Sequence, residues 1–297
     1  MTRTGQPDLK IAIGIATVGR PEVLERVVGL LSRQTRPADA ILVCSPDRSD
    51  LDRIETAFPH VRTVVGERGL PRQRNRLLKE ASDADIILFI DDDFLLAPDY
   101  LQAIESVFVQ HPDIAMVTGR VLADGIKGPG FSVEEGLGYL GAAAPSEGAA
   151  LRDVYNGYGC NMAVRMRPVI QHSLRFDESL PLYGWLEDVD FSRAVAPFGR
   201  IVKSRDAAGV HLGVKSARQP GTRLGYSQVA NPIYLMLKGT CSWPKGLMQI
   251  GRNLVANVYG TIRGETAVDR SGRLSGNARA ISDLFRLRLN PSRILAM

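Results

Sequence analysis

The stretch Asp85-Ile86-Ile87-Leu88-Phe89-Ile90-Asp91-Asp92-Asp93 sets the fold class. Its near-continuous apolar run is the pattern of a strand buried on both faces of a parallel sheet. The run stops abruptly at three carboxylates. Side chains alternate along an extended chain, so Asp91 and Asp93 share one face. Toward the N-terminus, 11–16 is a short run rich in isoleucine, followed by a turn at Gly19. Pro21 suits a first helical position, and Leu24, Val27, Val28 and Leu31 recur at helical spacing, which predicts an amphipathic helix over 21–34. Further strands are predicted at 40–44 and 61–65, and a helix over 70–79 carrying Arg72, Arg74 and Arg76. This alternation predicts an α/β fold with a mostly parallel central sheet and helices on both faces. In such sheets ligands bind beyond the carboxyl ends of the strands, where the aspartates lie.

Downstream the pattern loosens. Residues 124–150 are rich in Gly and Ala and read as a long loop or lid. A helix is predicted over 191–198, ending at Gly199, and a strand over 201–204. Residues 245–262 form a helical stripe, with apolar residues at 247, 250, 254, 258 and 262. The chain therefore divides by pattern into 1–123, 124–244 and a helical extension, 245–297.

Composition narrows the class. The 297 residues are 44% hydrophobic and 23% charged, ordinary values for a globular chain. No segment approaches the roughly 18 apolar residues of a membrane span. Residues 1–10 are polar and lack an apolar signal region, so a cytoplasmic place is expected. Cys44, Cys160 and Cys241 are far apart and form no CxxC pair, which argues against a disulfide framework or a zinc site. Residues 245–297 carry nine Lys/Arg against three Asp/Glu, and the rest of the chain is nearly neutral. A basic extension on a neutral body points to a polyanionic surface or to a solvated helical tail. No nucleic-acid motif accompanies it, and there is no Walker A motif, no GxGxxG after the first strand and no GxSxG sequence.

Three clusters can do chemistry. Carboxylates as close as Asp91, Asp92 and Asp93 repel one another unless a cation neutralises them. Hard divalent ions such as Mg2+ or Mn2+ take oxygen ligands and are often shared with phosphates. The alternative is an acidic cap on the helix after Pro98 and Asp99. The second cluster is Trp185-Leu186-Glu187-Asp188-Val189-Asp190. A carboxylate here could take a proton from a hydroxyl acceptor, or the group could be the acidic first turn of the next helix. Third, His211 lies in Gly-Val-His-Leu-Gly and becomes a ligand candidate only where a metal is already expected. Arg72, Arg74, Arg76 and Asn75 could hold a diphosphate, or form a solvated basic face.

Taken in order, these segments resemble the family 2 glycosyltransferases of GT-A fold over about 11–240. The motifs are 11–20 with Pro21, Gly69-Leu70-Pro71-Arg72-Gln73-Arg74-Asn75, FIDDDF, GCNMAVR, FDESLPLYGWLEDVDFSRA and a late histidine. The resemblance implies a Rossmann-like GT-A sheet and transfer of a sugar from a nucleotide diphosphate sugar, with inversion in one displacement. It implies that Ala16, Thr17 and Arg20 line the nucleotide pocket, with Arg74 and Asn75 toward the diphosphate. Asp91 and Asp92 would lie near the ribose and diphosphate, with Asp93 and His211 as metal ligands. Asp188 would be the catalytic base with Glu187 beside it, Asn161 would lie near the donor sugar or acceptor, and Trp185 would belong to the donor site. Relatives usually end the second strand in paired aspartates, one of which reads the base. Here that place holds Cys44-Ser45-Pro46-Asp47, so Ser45 or Asp47 would substitute. UDP is favoured by family frequency, with GDP and dTDP open. Many relatives act on lipid-linked acceptors in surface-polysaccharide synthesis, which fits a basic tail on the anionic inner face of the cytoplasmic membrane. A nucleotidylyltransferase, or a non-catalytic sugar-nucleotide-binding scaffold, would carry some of the same features.

Overall fold

The computed structural model describes residues 9–143, 150–215, 220–266 and 268–297. The chain divides into two compact units. One comprises Met1–Arg68, Arg72–Arg175 and Ala194–Ala217; the other comprises Gly69–Pro71, Phe176–Arg193 and Arg218–Met297.

The first unit holds the sheet. Its strands are β1 (Ile11–Ala16), β2 (Ala40–Ser45), β3 (Arg62–Val65), β4 (Ile86–Asp91), β5 (Phe94–Leu96), β6 (Ile114–Asp124), β7 (Leu151–Asp153), β8 (Asn161–Arg165) and β9 (Arg200–His211). They are ordered β3-β2-β1-β4-β8-β6-β9-β5, with β7 paired to β9. Strands β1 to β4 pair in parallel, as do β6 and β9. Only β5, β7 and β8 run against the rest, so the sheet is mostly parallel.

Helices α1 (Pro21–Leu31), α2 (Asp52–Ala57), α3 (Leu70–Glu80), α4 (Tyr100–Gln110), α5 (Val133–Gly141) and α6 (Met166–Gln171) alternate with the strands. The alternation within β4 explains the layering. Ile86, Leu88 and Ile90 join the core cluster with Leu24 and Val28 of α1 and Leu101 and Ile104 of α4. Ile87 and Phe89 belong to the other face, where a Cβ added at Gly14 would meet both of them and Leu77 of α3 at 3.3–3.5 Å. Glycine there lets α3 approach the central strands closely.

Two readings of the downstream sequence need correction. Residues 124–150 are not simply a loop: a 3-10 turn at Gly125–Lys127 leads to α5, while 144–149 lie outside the described residues. Ser132 and Glu135 form a reciprocal capping box at the start of α5, a signal present in the sequence but masked by its Gly-rich composition. The strand expected at 201–204 extends to His211. A register shift between Thr118 and Arg120 of β6 bulges β9 at 204–207 and hides its continuity.

The second unit is helical: α7 (Glu187–Val195, its last turn passing to the first unit), α8 (Gly221–Lys238), α9 (Trp243–Ile262) and α10 (Arg270–Phe285). α7 starts at Glu187 rather than at 191, so the acidic residues form its first turn. Tyr226, Val229 and Ala230 of α8 pack with Ala280 of α10 and Ile294. Asn257 of α9 is buried and donates to Gln228 Oε1 and Asn277 Oδ1, both at 2.8 Å. Much of the predicted stripe on α9 turns away from this core: Leu247, Val258 and Ile262 are exposed, while Ile250 packs against it and Gly246, Asn257 and Gly260 are buried. Among the described residues no helix is long and apolar enough to cross a membrane.

Candidate active site

The end of β4 is positioned by three neighbours. Ala16 of β1 is in register with Asp91, Phe94 of β5 with His211, and Asp124 of β6 also with His211. Strand pairing therefore brings residues 91, 93, 124 and 211 together from three segments far apart in sequence.

Asp91 and Asp93 turn to one side, as alternation requires. With His211 they offer ligand atoms all within 4.8 Å of one another. His211 Nε2 lies 3.3 Å from Asp93 Oδ1 and 3.9 Å from Asp91 Oδ2, while its Nδ1 is 3.0 Å from Asp124 Oδ1. Tyr158 donates its hydroxyl to Asp124 Oδ2 at 2.9 Å. A proton on Nδ1 bound to Asp124 leaves the Nε2 lone pair facing two carboxylates, an arrangement that needs a cation between them. Asp93 Oδ1 is buried and accepts no hydrogen bond among the described residues. A divalent ion held by Asp91, Asp93 and His211 answers both facts, and the donor set suits Mn2+ or Mg2+. Without it a proton does the work: burial lowers the His211 pKa, but Asp124, Asp93 and Asp91 outweigh it and push it up to about 10. Burial likewise raises Asp93 and Asp124, yet His211 prevails, holding Asp93 below the usual carboxylate range and Asp124 at about 2.

Asp92 points the other way. It accepts from Thr17 Oγ1 at 2.6 Å and Arg20 Nη1 at 2.9 Å. Burial pushes its pKa up to about 7 against the pull of Arg20. Arg20 also lies 3.6 Å from Asp93 Oδ2, and the Val214 amide donates to that same oxygen at 2.8 Å. Thr17 and Arg20, both expected in the nucleotide pocket, thus form one wall with Asp92, and Ala16 lies beside Asp91 in the ladder.

The other expected residues divide. Arg74 is 1% exposed, donating to Asp91 Oδ1 at 3.1 Å and the Gly159 carbonyl at 2.6 Å, with its guanidinium over the Phe89 ring. It is part of the cluster's support, whereas Arg72 and Arg76 are exposed and paired with Glu67 and Glu80. Asn75 is buried on the same helix. Asn161 is fully buried, its Oδ1 accepting from Thr118 Oγ1 at 2.7 Å and the Gly119 amide at 2.6 Å, so it clamps β8 to β6. Ser45 is buried and donates to Asp50 at 2.8 Å; Asp50 also accepts from the Gly19 amide. Asp47 is exposed and caps the turn Arg48–Asp50. Asp50, Asp124 and Tyr158 were missed. Asp50 follows the departing Cys-Ser-Pro-Asp segment by only three residues, but nothing in the sequence aligns Asp124 or Tyr158 with His211.

In the second unit, Glu187 and Asp188 open α7. Glu187 is buried and Asp188 half-buried, with Asp188 Oδ1 accepting from the Val189 amide at 2.8 Å. Asp190 is buried and bound by Lys238 Nζ at 2.8 Å and Thr240 Oγ1 at 2.6 Å. The preceding turn places Leu182, Gly184 and Leu186 at positive φ. Such strain in non-glycine residues clusters at functional segments. The Trp185 carbonyl accepts from Asn231 at 2.8 Å, and its buried indole N–H has no partner among the described residues.

Residues 7–133 match the family model described as "Glycosyltransferase like family 2". Over 147 residues, 48% of this chain, the sequence is 26% identical to a glucosyl-dolichyl phosphate glucuronosyltransferase of Haloferax volcanii, and the match spans 47% of that protein. The chain thus spans about half the length of this curated relative. The fold is similar to the mannosyltransferase PcManGT from Pyrobaculum calidifontis in complex with GDP-Man and Mn2+, with a TM-score of 0.56 over 99% of this chain and 86% of that one, at 14% identity. It is also similar to S. aureus TarS 1–349 in complex with UDP-GlcNAc, with a TM-score of 0.53 over 77% of this chain and 67% of that one, at 15% identity. The structural likenesses establish a GT-A fold, and residues 7–133 are similar to the glycosyltransferase family 2-like domain.

Proposed function

We propose that the chain is an inverting glycosyltransferase that moves a sugar from a nucleotide diphosphate sugar to a saccharide acceptor. The observation that carries this reading is the convergence of Asp91, Asp93 and His211 at the carboxyl end of β4. Those three residues would hold Mn2+ or Mg2+, which when bound supplies Lewis-acid stabilisation of charge on the departing diphosphate. Thr17, Arg20 and Asp92 orient the donor's nucleotide, and Arg20 adds a fixed positive charge beside the carboxylates. Ser45 and Asp47, at the end of β2, are assigned to the base. UDP is the favoured nucleotide, consistent with the UDP-GlcNAc complex of TarS, and the GDP-Man complex of PcManGT keeps GDP open.

Asp188 is assigned as the base on its motif, with Glu187 beside it. It takes the proton of the acceptor hydroxyl as that oxygen bonds to the anomeric carbon. The bond from that carbon to the diphosphate oxygen breaks on the opposite face, releasing the nucleoside diphosphate and inverting the anomeric centre. The acceptor we assign is a lipid-linked saccharide in surface-polysaccharide synthesis at the inner face of the cytoplasmic membrane, in keeping with the dolichyl phosphate substrate in the name of the Haloferax volcanii relative.

Thermal-shift titration with UDP-, GDP- and dTDP-sugars, with and without Mn2+, tests the donor reading. A ligand that binds only the folded state raises the melting temperature by mass action. The expected outcome is a metal-dependent rise with one nucleotide that disappears in Asp93→Ala. No rise with any donor, or one that Asp93→Ala leaves intact, would overturn it.

A further inference from the structure

α9 is anchored along one narrow line. Gly246, Asn257 and Gly260 are buried, with Ile250 packed between them against the core of its unit. At 3.6 residues per turn these positions fall on one side of the helix. A broad arc of the remaining surface is open and apolar: Leu247 is 57% exposed, Val255 70%, Tyr259 54% and Ile262 79%, with Trp243 at the start also turned out. A surface helix normally turns its apolar stripe toward the core. Here the line that packs is glycine and asparagine, and the apolar arc is left facing outward. Contiguous exposed apolar surface of this kind marks a partner.

Charge identifies the partner. From Trp243 to Gly264 the chain contains no Asp or Glu, and its Lys245, Arg252 and Arg263 are exposed. These three are separated by about two and about three helical turns, so they fall in register along one border of the apolar arc. Arg263 places its guanidinium 4.5 Å from the centroid of the Tyr259 ring, joining the border to the arc. An apolar face edged by cations is the form of a helix that lies in the plane of an anionic bilayer, with apolar side chains below the headgroups and basic ones among them. A second copy of the chain fits less well, because a two-fold contact would double the cationic border without supplying an acid.

We infer that the outward face of α9 is a docking surface for anionic lipid, with Trp243, Leu247, Val255 and Ile262 entering the interface and Lys245, Arg252 and Arg263 on the headgroups. Its role rests on the proposed lipid-linked acceptor; the binding itself does not, and is measured without donor or metal.

The test is co-sedimentation of the full chain with vesicles of phosphatidylcholine and phosphatidylglycerol, against pure phosphatidylcholine. The wild type should sediment with the anionic vesicles and be released by salt. Leu247→Ser/Val255→Ser/Ile262→Ser, all at exposed positions, should abolish sedimentation while leaving the circular dichroism and melting curve unchanged. Lys245→Gln, Arg252→Gln and Arg263→Gln should each weaken partitioning about fivefold. Phe285→Ser/Leu287→Ser, which removes exposed apolar residues at the end of α10, should leave it intact. Sedimentation that survives the α9 triple variant would overturn the inference. So would a wild-type dimer in light scattering that the triple variant dissociates, with no lipid binding. Loss of the donor-induced thermal shift with vesicle binding retained would strike the transferase reading instead.

Discussion

Two acidic clusters of similar composition divide their carboxylates in opposite ways. Asp91-Asp92-Asp93 leaves a strand, where side chains alternate. Two carboxylates therefore converge on His211, and the third turns back to Thr17 and Arg20. Glu187-Asp188-Val189-Asp190 opens a helix, where residues three apart share a face. Glu187 and Asp190 are accordingly both buried, and Asp188 is left half-exposed. The strand concentrates negative charge in a group that could hold a metal ion. The helix leaves one carboxylate half-exposed and uses Asp190 as structure, since Asp190 is occupied by Lys238 and Thr240.

The largest effect that would break this contrast lies within α7. If Asp188 is the base, Asp188→Asn lowers the transfer rate by about 10²–10⁴-fold, with donor-induced thermal shift and melting temperature retained. Asp190→Asn behaves in reverse: it weakens the contacts to Lys238 and Thr240 and costs about 1–2 kcal/mol of stability, measured by denaturant titration, while the rate per folded molecule stays near wild type. Equal rate losses in both variants, with both fully folded, would remove the distinction between the two carboxylates.

A smaller effect sharpens the other cluster. Asp124 bonds His211 Nδ1 and so presents Nε2 to Asp91 and Asp93. Residues that orient a histidine ligand in this way typically contribute 10–100-fold to metal affinity. Asp124→Asn is therefore expected to weaken Mn2+ binding by about that factor, read from the free-ion signal in electron paramagnetic resonance, with the fold unchanged. Affinity at the wild-type level would mean that Asp124 only packs beside the ring.

The two clusters also differ in how far the sequence displays them. The strand–helix alternation up to 93 was legible because buried parallel strands and an amphipathic helix leave strong local periodicities. α1, β1 and β4 fall within a few residues of their expected limits. The Asp91 and Asp93 pairing follows from alternation alone. Asp124 and Tyr158 did not, because they reach His211 only through the pairing of β6 with β9, a register interrupted by bulges. Arg74 looked like one member of a basic helix face. It is buried because its turn of α3 lies over Phe89, and tertiary packing overrode the local pattern. α9 begins two residues before the expected stripe and ends with it, but its packing line is not legible in that stripe, since Gly246 and Gly260 permit a close approach that apolar periodicity does not advertise.

The smallest effect concerns Tyr158, whose hydroxyl is one of the groups holding Asp124 ionised. Burial raises the Asp124 pKa, but His211, the Ile126 amide and Tyr158 together bring it down to about 2. A carboxyl with a depressed folded pKa contributes stability that is complete above its unfolded value near 3.9 and is lost as pH falls through the folded one. Tyr158→Phe removes one donor and should cost about 1 kcal/mol at neutral pH. Because the folded pKa of Asp124 then moves toward its ordinary value, the gap between variant and wild type should narrow as pH falls below about 4 and be small near 2. Denaturant titrations of the metal-free protein across that range decide it. A gap that stays constant with pH would show that the hydroxyl acts through packing against the His211 ring, 6.1 Å away and edge-on, rather than through the charge of Asp124.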